Sequence, residues 1–262
     1  MNLFAIFGKP VSHSKSPIMH NRAFWKLGFE GCYVRYELQT PQIKSAFVQL
    51  GLKGANITVP YKEEAYRECD EVIGIAKRVE AVNTIVNKNG RLVGYNTDAP
   101  GFLESVKRFL PARALIIGAG GTAKAIAEIF SQKGISFALL NRSAKRLEYF
   151  KQRGFETYTW DSFAPNRFDL IINTTSAGLT DDSLPTPPDT LKALFKEAKA
   201  AVDVIYGKET PFLKEAKSSG LDTEDGAEML LQQGVLAFEL FSEFKYPKNR
   251  IEKIMREALE LS

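Results

Sequence analysis

The 262-residue sequence predicts an α/β protein made of two α/β domains. Three observations carry this. Short apolar runs alternate with amphipathic helical stretches along almost the whole chain. From Arg113 onward the pattern changes to a buried strand, a glycine turn and a helix, followed by further short strands alternating with helix. A glycine-rich turn, Gly118-Ala-Gly-Gly-Thr-Ala123, lies between one such strand and the next helix.

The elements follow in order. Residues 3–7 read as a strand, then come a glycine- and serine-rich loop and a helix over 17–27. A second strand spans 33–38, a helix 41–50 and a third strand 55–59. Residues 84–86 and 92–95 flank Asn89-Gly90, a dipeptide that takes the positive φ values of a tight hairpin turn. Ala99-Pro100-Gly101 opens a helix that ends near Leu110. Strands at 114–117, 137–140 and 170–173, with helices between them, form a mononucleotide-binding half fold. The proline-rich stretch 181–189 reads as a loop, and 201–205 resumes the sheet. From Gly226 helix runs to Leu261, with a break around Tyr246-Pro247. This places an N-terminal domain at 1–99, onto which helices in 227–262 pack back, and a Rossmann-like dinucleotide-binding domain at 100–226.

Composition narrows the function classes. Hydrophobic residues make up 44% and charged residues 25% of the chain, ordinary globular values. The net charge of +4 comes without a long basic run, so neither nucleic acid nor a membrane surface is expected as partner, and the mild positive bias suits an anionic small molecule. Cys32 and Cys69 have no Cys-x-x-Cys spacing and read as free thiols of a reducing compartment. Without a signal-like start or a run long enough to span a bilayer, the expected location is cytoplasmic. His13 and His20, the only histidines, match no ligand spacing, so no metal is expected.

The glycine turn suits a dinucleotide. Gly118, Ala119, Gly120, Gly121 and Thr122 let backbone approach a diphosphate at the positive end of a helix. The acid that would hold a ribose 2′-hydroxyl at the end of the next strand is missing. In its place stand Asn141, Arg142, Ser143, Lys145 and Arg146, and a guanidinium there faces a 2′-phosphate, which favours NADP over NAD. A plain structural reading coexists: Asn141 or Ser143 caps the following helix.

Two residues in the first half point to chemistry. Lys62 closes Asn56-Ile-Thr-Val-Pro-Tyr-Lys62 and Asp98 closes Gly94-Tyr-Asn-Thr-Asp98, each after a strand-like run. An amine and a carboxylate at strand ends, beside a nicotinamide, suit proton-coupled hydride transfer to a carbonyl. Pro60 reads as the first residue of a helix, where a lysine is unfavourable by a few tenths of a kcal/mol. The structural alternatives are a solvated Lys62 and an Asp98 that caps the next helix. Ser14 and Ser16 precede a helix start, where Ser16 is an ordinary N-cap with Pro17 at the first helical position, or both hydroxyls meet a polar ligand. Asn83 begins the hairpin.

Taken together, these segments resemble shikimate dehydrogenase over essentially the full length. The matching stretches are 8–21, 56–62, 81–84, 94–98, 118–123 and 141–146, joined by Asn173-Thr-Thr-Ser-Ala-Gly178, Asp203-Val-Ile-Tyr206 with Thr210-Pro211, and 225–233. The resemblance implies that Ser14, Ser16, Thr58, Asn83, Asp98, Tyr206 and Gln233 hold shikimate and that Lys62 and Asp98 are the catalytic pair. It gives the diphosphate to residues 118–122, the adenosine 2′-phosphate to Asn141, Arg142, Ser143 and Arg146, and the border of the nicotinamide to Val204 and Gly226. The implied reaction is reversible NADPH-dependent reduction of 3-dehydroshikimate to shikimate, on the route to chorismate and the aromatic amino acids, by a monomer or homodimer. Which of Lys62 and Asp98 transfers the proton stays open. Only Gly207, Lys208 and Glu209 separate Tyr206 from Thr210, one residue fewer than the usual pattern.

Three rivals are weighed against this reading. A broader quinate/shikimate dehydrogenase shares nearly every residue, but its NAD-linked branch fits an acid better than Asn141-Arg142. A methylenetetrahydrofolate dehydrogenase has a comparable plan without need of the serine pair or Asn96-Thr97-Asp98. A non-catalytic NADP- or metabolite-sensing homologue fits loss of Lys62 or Asp98, and both are present.

Overall fold

The computed structural model describes residues 1–39, 42–110, 113–164 and 167–261. The chain divides into two compact units, residues 1–101 with the stretch from Leu231 onward, and Phe102–Leu230. The first carries β1 (Asn2–Gly8), α1 (Ser16–Leu27), β2 (Gly31–Glu37), α2 (Ile43–Leu50), β3 (Leu52–Ile57), α3 (Lys62–Glu68), β4 (Glu71–Val72), α4 (Ile75–Val79), β5 (Thr84–Lys88) and β6 (Arg91–Tyr95). Helix α5 (Asp98–Ser105) and a short 3-10 turn at Lys107–Phe109 lead on to the second unit. There follow β7 (Ala114–Ile117), α6 (Gly121–Gln132), β8 (Phe137–Leu140), α7 (Ala144–Lys151), β9 (Glu156–Tyr158), β10 (Leu170–Asn173), α8 (Pro188–Glu197), β11 (Ala200–Asp203), α9 (Pro211–Ser218) and β12 (Asp222–Glu224). Helices α10 (Gly226–Phe241) and α11 (Lys248–Glu260) complete the chain.

The first sheet has the order β2-β1-β3-β5-β6-β4. Strand β1 runs parallel to β2 and β3, with Phe7 beside Ile57, so the chain leaves β1 and β3 at the same sheet edge. Strands β5 and β6 form the antiparallel hairpin whose Asn89 and Gly90 have φ of 54° and 88°. One core gathers Phe7, Phe47, Leu52, Ile57 and Ile85. Aromatic rings dock α1 and α10: Phe4 lies 4.8 Å from Phe241 and Phe24 5.3 Å from Phe238, centroid to centroid. The C-terminal helices thus pack on the N-terminal sheet and α1.

The second sheet is wholly parallel, in the order β12-β11-β10-β7-β8-β9. Renumbered from β7, that is the 3-2-1-4-5-6 order of a dinucleotide-binding sheet, with the reversal of winding between β7 and β10. Leu115, Ile117, Leu140 and Ile171 are all buried in its core, as their continuous apolar runs require.

Several boundaries differ from the sequence expectation, each for a local reason. Helix α1 starts at Ser16 with Lys15 at the cap position, so Ser16 is not the N-cap and Pro17 is the second helical residue. Helix α3 starts at Lys62, not Pro60, because the Tyr61 N–H turns back to the Thr58 carbonyl at 3.0 Å. Helix α5 stops at Ser105, whose hydroxyl bonds the Phe102 carbonyl at 2.8 Å and competes with the helical ladder. The proline-rich stretch read as loop is loop over 181–187, and only its end, Pro188 and Asp189, already belongs to α8, with Pro188 in the first turn, where a missing N–H is harmless. Strands β4, β9 and β12 are two or three residues long, too short for periodicity to reveal. Pro41, the expected start of α2, lies outside the described residues.

Candidate active site

In the first unit the polar side chains collect where β1 and β3 end. Ser14 lies in the turn after β1 and Ser16 at the start of α1, 6% and 4% exposed. The Ser14 hydroxyl accepts the Ser16 N–H at 3.3 Å, and the Ser14 carbonyl accepts Nε and Nη2 of Arg35 at 3.0 and 2.6 Å. The Ser16 hydroxyl bonds the phenol of Tyr33. Tyr33 is fully buried, which pushes its phenol well above the ordinary value, and it donates to Asn56 Oδ1 at 2.7 Å.

Asn56 carries the network onward by donating to Thr84 Oγ1 at 3.0 Å. Asn83, 2% exposed, accepts the Thr97 N–H on Oδ1 at 2.7 Å and donates from Nδ2 to Thr97 Oγ1 at 3.0 Å. Asn96 donates to the Ala81 carbonyl at 3.1 Å and accepts the Ala99 N–H at 3.1 Å. It is therefore Asn96, not Asp98, whose side chain caps the start of α5. Each such buried bond contributes about 0.5–1.5 kcal/mol, and breaking one partner costs more.

The Asp98 carboxylate is free to face Lys62. Lys62 Nζ donates to Asp98 Oδ2 at 2.7 Å, with the two side chains 25% and 13% exposed. The Lys62 backbone is held too, its carbonyl accepting the Val82 N–H at 2.9 Å. An ammonium in the first turn of α3 meets the unfavourable end of the helix dipole, and the carboxylate offsets it. Thr58 is half-buried beside this loop, its N–H bonding the Phe7 carbonyl at 2.7 Å. Gln233 is half-buried on α10.

The two histidines stand apart from this chemistry. His20 is fully buried and stacked on Tyr33, ring centroids 4.4 Å apart, with neither ring nitrogen hydrogen-bonded, and burial lowers its pKa to about 3. His13 is exposed. Among the described residues no cluster of three His, Cys, Asp or Glu side chains is placed to hold a metal ion.

In the second unit the turn after β7 opens at the winding reversal. Gly118 has φ 118° and lies against Thr174, which bonds the Ile117 carbonyl through its own hydroxyl at 2.8 Å. A side chain at Gly118 would run into that threonine. At Gly120 and Gly121 a Cβ would meet nothing within 4 Å, and no side chain caps α6. The first-turn N–H groups therefore face open space, which fits a diphosphate.

At the end of β8, Asn141 bonds its Nδ2 to the Ser143 carbonyl at 3.0 Å. Ser143 holds the N-cap position of α7 but makes no side-chain cap bond, so helix capping does not use its hydroxyl. Arg142 and Arg146 are exposed, and the Arg142 guanidinium lies 5.9 Å from the Trp160 ring. Three exposed cations, Arg142, Lys145 and Arg146, and the Ser143 hydroxyl, with no carboxylate among residues 141–146, fit a 2′-phosphate.

Val204 and Tyr206 follow β11, and burial raises the Tyr206 phenol above its ordinary value. Gly226 packs so tightly on the Val204 carbonyl that any side chain would collide with it. The roles of Tyr33, Asn56, Thr84, Asn96 and Thr97 escaped the sequence reading. Asn96 is the one with a local signal, an Asx residue three positions before a helical N–H.

Residues 6–85 match the family model described as the shikimate dehydrogenase substrate binding domain. Shikimate dehydrogenase (NADP(+)) of Helicobacter hepaticus is 49% identical over 255 residues, covering 96% of this chain and 95% of the relative. The enzyme of the same description from Helicobacter pylori (strain P12) is 44% identical, with 97% of both chains covered. The crystal structure of shikimate 5-dehydrogenase from Thermus thermophilus, in complex with NADP(H) and shikimate, superposes with a TM-score of 0.87 at 36% identity. The match covers 98% of this chain and 100% of that one.

Proposed function

The chain belongs to the shikimate dehydrogenase family, and on that premise we propose that it interconverts 3-dehydroshikimate and shikimate with NADPH and NADP+. The observation that carries the chemistry is the 2.7 Å pair of Lys62 Nζ and Asp98 Oδ2, intact and half-shielded from water. When bound, the cofactor supplies or accepts a hydride at its nicotinamide ring.

The protein's own residues handle charge and protons. In the reducing direction negative charge grows on the ketone oxygen, and the Lys62 ammonium donates a proton to it. Asp98 holds Nζ in place and accepts a hydrogen bond from the neighbouring ring hydroxyl. In the oxidising direction Lys62 Nζ takes the proton back. Ser14, Ser16, Thr58, Asn83, Tyr206 and Gln233 bind the carboxylate and hydroxyls. For Asn83 this use is confined to its remaining amide N–H, because Thr97 takes its Oδ1 and one donor bond.

The second unit binds the dinucleotide. The α6 N-terminus above Gly120 and Gly121 takes the diphosphate, and Asn141, Arg142, Ser143 and Arg146 take the 2′-phosphate. Val204 and Gly226 border the nicotinamide. Two half-buried free thiols, Cys32 and Cys69, suit a reducing cytoplasm. Oxidation of shikimate and of quinate, each with NADP+ and with NAD+, tests the reading. Turnover of shikimate with NADP+ well above the other three combinations is expected. Equal use of quinate and NAD+ would move the chain to the broader dehydrogenase, and no turnover to a binding protein.

A further inference from the structure

The segment Asp203 to Thr210 carries a buried polar cluster that no step above uses. Asp203, Asn173 and Thr210 are each 0% exposed. One carboxylate oxygen of Asp203 accepts the Thr210 hydroxyl at 2.7 Å and Asn173 Nδ2 at 3.1 Å, while the other accepts the Ile205 N–H at 3.0 Å. These donors are neutral, and the charge that acts on the group is that of Asp225, of like sign. Burial pushes the Asp203 carboxyl above its ordinary value. A buried carboxylate of this kind is a poor source of stability.

Its bonds instead set one stretch of backbone. Ile205 N–H ends on Asp203, Val204 N–H on the Asn173 carbonyl at 3.1 Å, and the Ile205 carbonyl accepts the Gly226 N–H at 3.0 Å. The Thr210 hydroxyl also accepts the Leu213 N–H at 3.3 Å as the N-cap of α9. Both ends of the short Gly207–Glu209 turn are therefore tied to one carboxylate, and Gly207 turns the chain with φ 81°.

We propose that Asp203, with Thr210 and Asn173, is a positioning anchor that fixes the Val204–Tyr206 backbone where the nicotinamide end of the dinucleotide is received. The inference rests on the assignment of Val204 and Gly226 to the nicotinamide. Of the three, Asn173 also reaches toward the diphosphate turn, its Oδ1 accepting the N–H and hydroxyl of Thr175 beside Gly118 at 3.0 and 2.8 Å. The side-chain bonds of Thr210 run only to Asp203 and to Leu213 of α9, so a change at Thr210 separates the two halves of the cofactor.

The test compares the whole protein with Asp203→Asn, Thr210→Val and Thr210→Ser. Calorimetry gives the Kd of NADP+ and of adenosine 2′,5′-bisphosphate, which lacks the nicotinamide half. Loss of a bond to a charged group in Thr210→Val should weaken NADP+ about tenfold while the bisphosphate stays within about twofold. Asp203→Asn should show the same split, larger, and Thr210→Ser should restore NADP+ affinity by returning the hydroxyl. If Asp203→Asn does not fold, Thr210→Val carries the test, since valine keeps the volume. Parallel weakening of both ligands, or a lowered Tm with neither changed, would overturn the anchor. No shikimate oxidation by the wild type, with the split still seen in the variants, would overturn the proposed reaction and leave the anchor standing. Shikimate oxidation without the split would overturn the anchor alone.

Discussion

The two units build their binding surfaces from different materials. In the second, the turn after β7 offers backbone: glycines with room above them and a helix start that no side chain caps. In the first, the groups are side chains from Ser16, Lys62, Asn83 and Asp98, brought together from four distant segments. Each is fixed from beneath by a buried bond or an ion pair. A backbone surface tolerates most sequence change provided no Cβ intrudes. A side-chain surface depends on each residue and on the residue behind it.

The largest expected effect breaks the first surface at its centre. Lys62→Ala should lower kcat about 10²–10⁴-fold, the range for losing a positioned proton donor. Stability and NADP+ affinity should hold, since alanine is favoured over lysine at a helix N-terminal turn. Lys62→Arg should also be poor, because the guanidinium stays protonated and its planar fork has a different reach. Near-normal kcat for shikimate oxidation in Lys62→Ala would move the proton step to Asp98 or water.

On the second surface, Arg142→Asp should weaken NADP+ by on the order of 2–4 kcal/mol, from lost charge-assisted bonds and new repulsion. NAD+, which lacks the 2′-phosphate, should lose little. Titration with both cofactors decides it: equal losses would mean that Arg142 supports only the fold, through its contact with Trp160.

The contrast also explains what the sequence reveals. The second unit is legible because its signals are local: the glycine turn, the uniformly apolar strands such as Ala114–Ile117, and the missing acid after β8 all lie within short windows. In the first unit the same windows mislead. Ser16 and Asp98 look like helix caps from their neighbours alone, yet Ser16 is inside the helix and Asn96 does the capping near Asp98. The deciding bonds, Tyr33 to Asn56 and Asn83 to Thr97, join residues far apart in sequence, and no periodicity encodes them. Resemblance to a family supplied what local patterns did not.

A third effect tests how dry the first unit is behind its side chains. His20 has a pKa near 3 in the folded chain against 6.5 when exposed. Below the unfolded value the unfolded chain takes up a proton that the folded chain refuses. His20 therefore withdraws stability as pH falls from about 6.5 toward 3, and the loss between pH 7 and 5 is about 2 kcal/mol. His20→Phe, which keeps a ring against Tyr33, should remove that part of the slope in denaturant titrations at the two pH values. An unchanged slope would mean that His20 finds a proton acceptor or water in solution.

The smallest expected effect distinguishes the two serines. Ser14 Oγ already accepts the Ser16 N–H, so Ser14→Ala leaves a donor unpaired at the start of α1 and should lower Tm. Ser16 is not a cap, and its hydroxyl bonds the Tyr33 phenol at the edge of the polar network. Ser16→Ala should therefore appear mainly in substrate binding, raising the KM for shikimate by the equivalent of about 0.5–1.5 kcal/mol, with NADP+ affinity unchanged. The pair of variants thus separates a serine that shapes the turn as well as binding substrate, Ser14, from one whose loss is felt in substrate binding alone. If Ser16→Ala instead lowers Tm and leaves KM alone, its hydroxyl serves Tyr33 only. The carboxylate of the substrate must then be held by other donors, and the side-chain surface of the first unit draws on three segments rather than four.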